Sequence, residues 1–254
     1  MKTFLRNTLL AGAALAMTAS GLAQAGEFTP AQRDEIGGIV REYLLKHPDI
    51  LIEMSRKLEE KKQAEQAKAA KAGIAEYANA IYRAKGDLVV GKADGKVAMV
   101  EFFDYNCGFC KRALPDVLKL KDTNKDLKII IKEFPILGPG SMEAAKYALA
   151  ARKQGMDKYW KFHVAMLGHK GRVDGKVALA LAKRVGLDVE KLKEDAKAKD
   201  VSDTINANMA VAAALNINGT PAFIIGETIV PGALGYKTLN HIIGQVRKSG
   251  CKHC

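Results

Sequence analysis

Val97-Ala98-Met99-Val100-Glu101-Phe102-Phe103-Asp104-Tyr105-Asn106-Cys107-Gly108-Phe109-Cys110 decides the reading of this 254-residue chain. A seven-residue run with the composition of a central strand hands over to two cysteines spaced C-x-x-C, and Lys111 to Lys121 continues at helical spacing. At such a junction the amides of Phe109 and Cys110 can point at the Cys107 sulfur. The positive end of the helix macrodipole then favours its thiolate. Cys107 is the predicted nucleophile. Cys110, three residues on and shielded by the helix, is the predicted resolving thiol, placed to attack a mixed disulfide formed at Cys107. A C-x-x-C is also half of a zinc site, so the strand-to-helix setting carries the redox reading.

Working outward, Leu88-Val89-Val90 reads as a short strand and Leu127 to Phe134 as a third, giving a β-α-β unit around the cysteines. From Ser141 to about Leu215 the pattern is helical, broken near Gly168, Gly171, Gly175 and Gly186. Ala222-Phe223-Ile224-Ile225, a turn at Gly226-Glu227, Thr228-Ile229-Val230 and a closing helix from Tyr236 to about Lys248 complete residues 87–250 as one α/β domain, with a helical insertion over 140–215.

Ahead of that domain, Thr29 to about Tyr82 is rich in Glu, Lys, Gln and Ala and carries no strand signal. Thr29-Pro30 with Gln32 is an N-cap signature, and Ile36, Val40 and Leu44 recur at helical spacing. His47-Pro48-Asp49 breaks that helix before a second with Ile50, Leu51, Met54 and Leu58. Residues 26–62 therefore read as a helical oligomerisation segment, since its apolar stripes need a partner surface and copies of the chain supply one. Folding back on the chain's own C-terminal domain is the alternative. Residues 63–86, where charge and Ala continue without the stripe, read as a semi-rigid helical linker with Gly73 a hinge.

The first 25 residues carry Lys2 and Arg6, an apolar run from Thr8 to Met17, and Ala23-Gln24-Ala25 at a signal-peptidase position. They read as a signal peptide cleaved after Ala25, which makes the mature chain an exported, periplasmic protein. Its formal charge of +12 then falls to +10. Export argues against nucleic acid as a partner and permits disulfides. The four cysteines form two C-x-x-C pairs, so none is left for a long-range bridge.

The order β-α-β, helical block, β-hairpin, helix is that of a thioredoxin fold with an inserted helical domain, preceded here by the helical N-terminal segment. Val100-Glu101-Phe102-Phe103-Asp104-Tyr105-x-Cys107-x-x-Cys110, Lys132-Glu133-Phe134-Pro135-Ile136-Leu137-Gly138, Tyr159-Trp160-x-Phe162-His163 and Gly219-Thr220-Pro221-x-Phe223 follow one another over about 125 residues as they do in the DsbA family of periplasmic thiol-disulfide oxidoreductases, which the chain resembles. Its N-terminal extension, spacer and Gly108-Phe109 dipeptide resemble the ScsC-type members, some of which are trimeric disulfide isomerases.

The resemblance implies a cis proline at Pro221 facing the cysteines, with the Thr220 backbone binding an extended client beside Cys107. It also implies that Glu101 is the buried acid that assists deprotonation of Cys110. Strand alternation agrees, since it puts Glu101 on the side of Met99 and Phe103, where burial raises a carboxylate pKa; on an edge strand the same residue would face solvent. Glu133 could serve as Glu101 does, but a strand-end carboxylate more often reads as a surface charge and it is left out of the catalytic set; His163 reads as a packing histidine.

The expected function is a protein disulfide oxidoreductase acting as isomerase or reductase through the CGFC dithiol, without a cofactor. Its expected partners are misfolded exported proteins, a membrane redox partner, and two further copies in a homotrimer. The alternatives are a monomeric DsbA-like oxidase, or a copper- or zinc-binding protein using both C-x-x-C pairs. Cys251-Lys252-His253-Cys254 leaves three readings open: a second redox pair, a metal ligand set with His253 between two thiols, or a small disulfide in a tail.

Overall fold

The computed structural model describes residues 28–254; the signal-peptide expectation lies outside them. The chain divides into two compact units, one ending at Glu59 and the other running from Glu60 to Cys254.

In the first unit, α1 (Pro30–Lys46) is opened by a capping box: Thr29 Oγ1 accepts from the Gln32 amide at 3.3 Å and Gln32 Oε1 accepts from the Thr29 amide at 2.9 Å. α1 ends before Pro48, and α2 (Asp49–Glu76) begins at once. No residue of α1 is buried. Ile36, Val40, Leu44, Leu51, Met54 and Leu58 all stand exposed. Among the described residues no helix is long and apolar enough to cross a membrane.

The second unit is built on a five-stranded sheet in the order β1-β3-β2-β4-β5. β2 (Val97–Phe103) is parallel to β3 (Leu127–Glu133), pairing Glu101 with Ile131, and antiparallel to β4 (Ala222–Ile225), pairing Glu101 with Phe223. β1 (Leu88–Gly91) lies antiparallel on β3, and β5 (Thr228–Pro231) closes a hairpin with β4. The hairpin turns at Gly226, whose φ of +59° suits glycine, and a Cβ there would meet Val246 of the last helix, α10 (Gly235–Ser249), at 2.8 Å.

Every residue of β2 is buried, because both faces of the sheet are covered. Met99 and Phe103 join one core with the helices α4 (Gly108–Thr123), α5 (Pro139–Ala151), α6 (Met156–Leu167) and α10. Val100 and Phe102 join the other, with Ile74 at the end of α2, α3 (Ala78–Tyr82) and part of α9 (Lys199–Ala214). Between α6 and α9 lie α7 (Gly175–Arg184) and α8 (Val189–Asp195), opened by the N-caps Asp174 and Asp188, which accept from the amides of Val177 and Lys191. This is the mixed α/β, thioredoxin-like architecture that the sequence implies.

A buried ion pair ties α3 to the sheet. Lys132 Nζ, on β3, reaches Asp87 Oδ2 and the Ala80 carbonyl at 2.6 and 2.7 Å, with both charged side chains almost wholly shielded from solvent.

Candidate active site

Cys107 is the N-cap of α4 and Cys110 lies in its first turn, so the end of β2 delivers both thiols to one edge of the sheet. Cys107 retains 7% of its surface and Cys110 none. The two cysteines are free thiols. The structure departs from sequence reasoning at the Cys107 sulfur. Its side chain makes no capping hydrogen bond with the helix amides; instead Sγ donates to the Thr220 carbonyl at 3.1 Å. The Thr220–Pro221 peptide bond is cis, and β4 begins one residue later opposite the end of β2, which brings that carbonyl to the thiol.

The turn between β2 and α4 is clamped from below. Asp104, 1% exposed, accepts from the Asn106 amide at 2.7 Å, the Leu137 amide at 2.9 Å and Ser141 Oγ at 2.7 Å. Asn106 bonds Val173 in both directions, at 2.9 and 2.7 Å. Lys111 donates to the carbonyls of His169 and Gly171. The helical insertion thus fixes the backbone on both sides of the C-x-x-C. Sequence reasoning missed Asp104, Asn106 and Ser141, whose partners are distant in sequence.

Gly108 starts α4, and Phe109 is more than half exposed with the Arg112 guanidinium 4.1 Å above its ring. Phe109 also lines an open, mainly apolar groove of about 310 Å³, together with Ile217, Thr220, Pro221 and Pro231. The groove meets the Cys107 thiol through Thr220, whose carbonyl accepts from Cys107 Sγ.

Glu101 sits on the central strand and is 1% exposed; its Oε1 has no hydrogen-bond partner. Burial pushes its pKa up to about 8. Burial also pushes the Cys110 thiol well up, and the negative charge of Glu101 adds to that shift. The two groups are therefore electrostatically coupled, and a protein interior can hold one negative charge here far more readily than two.

Glu133 is a correction. It is a buried carboxylate, 1% exposed, accepting from Tyr105 Oη at 2.9 Å and Tyr159 Oη at 3.0 Å, and burial raises its pKa well above the carboxylate range. Its partners come from the active-site turn and from α6, 28 and 26 residues away, so its strand-end position could not reveal them. His163 Nδ1 lies 3.2 Å from the same Tyr105 hydroxyl, its ring stacks on Trp160, and burial lowers its pKa to about 3. It packs as a neutral imidazole.

Cys251 and Cys254 are joined to each other in a disulfide. Their tail sits by the β4–β5 turn: His253 Nε2 is 3.7 Å from Glu227 Oε1, and the neighbouring Gly226 amide bonds Ala98 at the start of β2. Cys107 follows the far end of that strand. The structure does not bring the two C-x-x-C pairs together, because the length of β2 separates them, roughly 20 Å at the usual rise per residue. In this structure the sulfurs of Cys251 and Cys254 are bonded to each other, so neither stands as a free thiolate beside His253.

Comparison with known proteins gives the chain's relatives. A DSBA-like thioredoxin domain matches residues 98–244, and the N-terminal domain of the copper resistance protein ScsC matches residues 32–65. Among curated proteins, a Na(+)/H(+) antiporter NhaA 1 of Salinispora arenicola is 26% identical over 156 residues, covering 61% of this chain. The chain spans only about a quarter (24%) of that relative's length. A probable disulfide bond formation protein D of Bacillus cereus is 26% identical over 55% of this chain and 70% of its own. Among solved structures, a thioredoxin-like oxidoreductase from Silicibacter pomeroyi is 40% identical, covering 67% of this chain and 97% of its own with a TM-score of 0.65. Proteus mirabilis ScsC in a transitional conformation is 28% identical, covering 87% of this chain and 100% of its own with the same TM-score. On these matches, the chain belongs to the DSBA-like thioredoxin-domain family and carries an ScsC-type N-terminal domain.

Proposed function

We propose that this protein exchanges disulfides in exported, periplasmic protein clients, working as an isomerase or reductase in an oligomer, most simply a homotrimer. The observation that carries the reading is the pairing of a marginally accessible Cys107, held at the Thr220 carbonyl, with a fully buried Cys110 coupled to Glu101.

The Cys107 thiolate attacks one sulfur of a client disulfide, forming a mixed disulfide and releasing the other client sulfur as a thiolate. Attack on the mixed disulfide by a different client thiolate completes an isomerisation and returns Cys107 unchanged. Otherwise Cys110 gives its proton to Glu101 and attacks Cys107 Sγ; the client leaves reduced by two electrons and Cys107–Cys110 becomes the disulfide. A thiol-bearing membrane partner then returns the two electrons. Thr220 and Pro221 bind the client backbone, and Gly108 and Phe109 form the lip of the groove beside it.

Support for the oligomer comes from the exposed apolar residues of α1 and the start of α2. Burying each such side chain is worth on the order of 1.5–3 kcal/mol, so several per chain offset the entropy of association. Deleting residues 26–62 is expected to give a monomer that still reduces small disulfides but loses most isomerase activity on a scrambled multi-disulfide client. Light scattering and the refolding assay together decide it. A monomeric full-length protein, or a truncated form with undiminished isomerase activity, overturns the isomerase reading and favours a monomeric dithiol oxidase.

A further inference from the structure

We propose that Cys251 and Cys254 form a second thiol–disulfide exchange centre, at the end of the sheet opposite Cys107 and Cys110, whose substrates are small thiols of the glutathione class. Three observations point there. The disulfide closes a loop containing only Lys252 and His253, so it restrains little of the unfolded chain and is poorly suited to a purely structural role. Both cysteines are half-buried, leaving a path for an attacking sulfur. The tail is nevertheless seated on the protein: Arg83 Nη2 donates to the carbonyls of His253 and Cys254 at 3.0 and 3.1 Å, while Cys251 packs on one core of the domain and Cys254 on the other.

The seat also distinguishes the two sulfurs. The Cys254 amide donates to Cys251 Sγ at 3.2 Å, a contact that stabilises negative charge on that sulfur. In thiol–disulfide exchange the better-stabilised thiolate is the better leaving group. An incoming thiolate therefore attacks Cys254 Sγ, the Cys251–Cys254 bond breaks, and Cys251 leaves as the thiolate. A second glutathione thiolate then attacks the glutathione sulfur of the adduct, giving oxidised glutathione and the Cys254 thiolate. Two electrons pass to the tail pair, and solvent supplies its protons. Arg83, held on the His253 and Cys254 oxygens, and Lys252, between the two cysteines, bring positive charge to the tail, which favours the approach of an anionic thiol. The two centres of one domain face opposite ends of β2, so the tail pair exchanges without Cys107.

The unmodified full-length protein is equilibrated with reduced and oxidised glutathione, quenched in acid, alkylated and cleaved with trypsin, which cuts after Lys252 and separates the two tail cysteines. At about a hundredfold excess of reduced over oxidised glutathione, at least half of the tail pair is expected as dithiol, and early glutathione adducts are expected about tenfold more often on Cys254 than on Cys251. The same reduction is expected in Cys107→Ser. A tail pair fully oxidised throughout, adducts mainly on Cys251, or reduction that needs Cys107 would each overturn the proposal. None of these outcomes depends on the isomerase reading.

Discussion

The Thr220 carbonyl oxygen and Cys107 Sγ meet at 3.1 Å across 113 residues of chain. The contact joins the two halves of the fold at the thiol, because Thr220 leads into β4 and Cys107 ends the segment that follows β2. In the proposed function, a client chain laid against Thr220 would be delivered to this sulfur.

Unequal burial of the two thiols predicts unequal chemistry. In the reduced protein at neutral pH, iodoacetamide is expected to label Cys107 at least about tenfold faster than Cys110, whose thiol is wholly enclosed and held protonated by desolvation. Peptide mapping after short exposure checks this, and equal labelling of the two would remove their assigned roles.

Glu101 gives a signed pH dependence. Its pKa rises from an ordinary 4.5 to about 8 in the folded protein. Between those values the native state holds a proton that the unfolded chain has released, so stability falls as pH rises through this window and levels off above it. Glu101→Gln removes that slope. The variant should gain on the order of 2–4 kcal/mol relative to the parent between about pH 5 and 8, while releasing mixed disulfides more slowly near neutral pH. Denaturant titrations at several pH values, beside client-release rates, test both halves. A constant stability difference with unchanged release would make Glu101 structural only.

His163 carries the opposite sign. Burial depresses its pKa from 6.5 to about 3, so its contribution is present above pH 6.5 and lost as pH falls toward 3. In His163→Gln the stability loss over that range should be shallower, as measured by thermal unfolding from pH 7 to 4; an unchanged acid slope would contradict a buried neutral imidazole.

The Lys132–Asp87 pair should behave as a buried charge couple. Lys132→Met strands Asp87 in the interior and is expected to cost about 3–5 kcal/mol, whereas adding Asp87→Leu should recover most of it. A double-mutant cycle in denaturant reads the coupling, and additive losses would show that the ion pair is not the source.

Much of this was legible in sequence because it rests on local pattern. Continuous apolar runs placed β2 over its observed residues and β3 to within one, since strands covered on both faces need no polar alternation. Strand parity likewise set Glu101 on the face of Met99 and Phe103. What escaped was tertiary. Glu133 looked like a strand-end charge because its two tyrosine donors arrive from other elements, and the Asp104–Asn106–Ser141 clamp exists only once the helical insertion has folded against the active-site turn. The Cys107 sulfur, expected to face helix amides, turns instead to the Thr220 carbonyl.

The central claim is that Cys107 attacks and Cys110 releases. Trapping tests it most directly: Cys110→Ser is incubated with a disulfide-bonded client and run on non-reducing gels, with Cys107→Ser in parallel. The account predicts that Cys110→Ser accumulates a covalent client complex through Cys107, that Cys107→Ser forms none, and that the parent protein turns over without accumulation. A complex captured equally well by Cys107→Ser, or by neither variant, would contradict it.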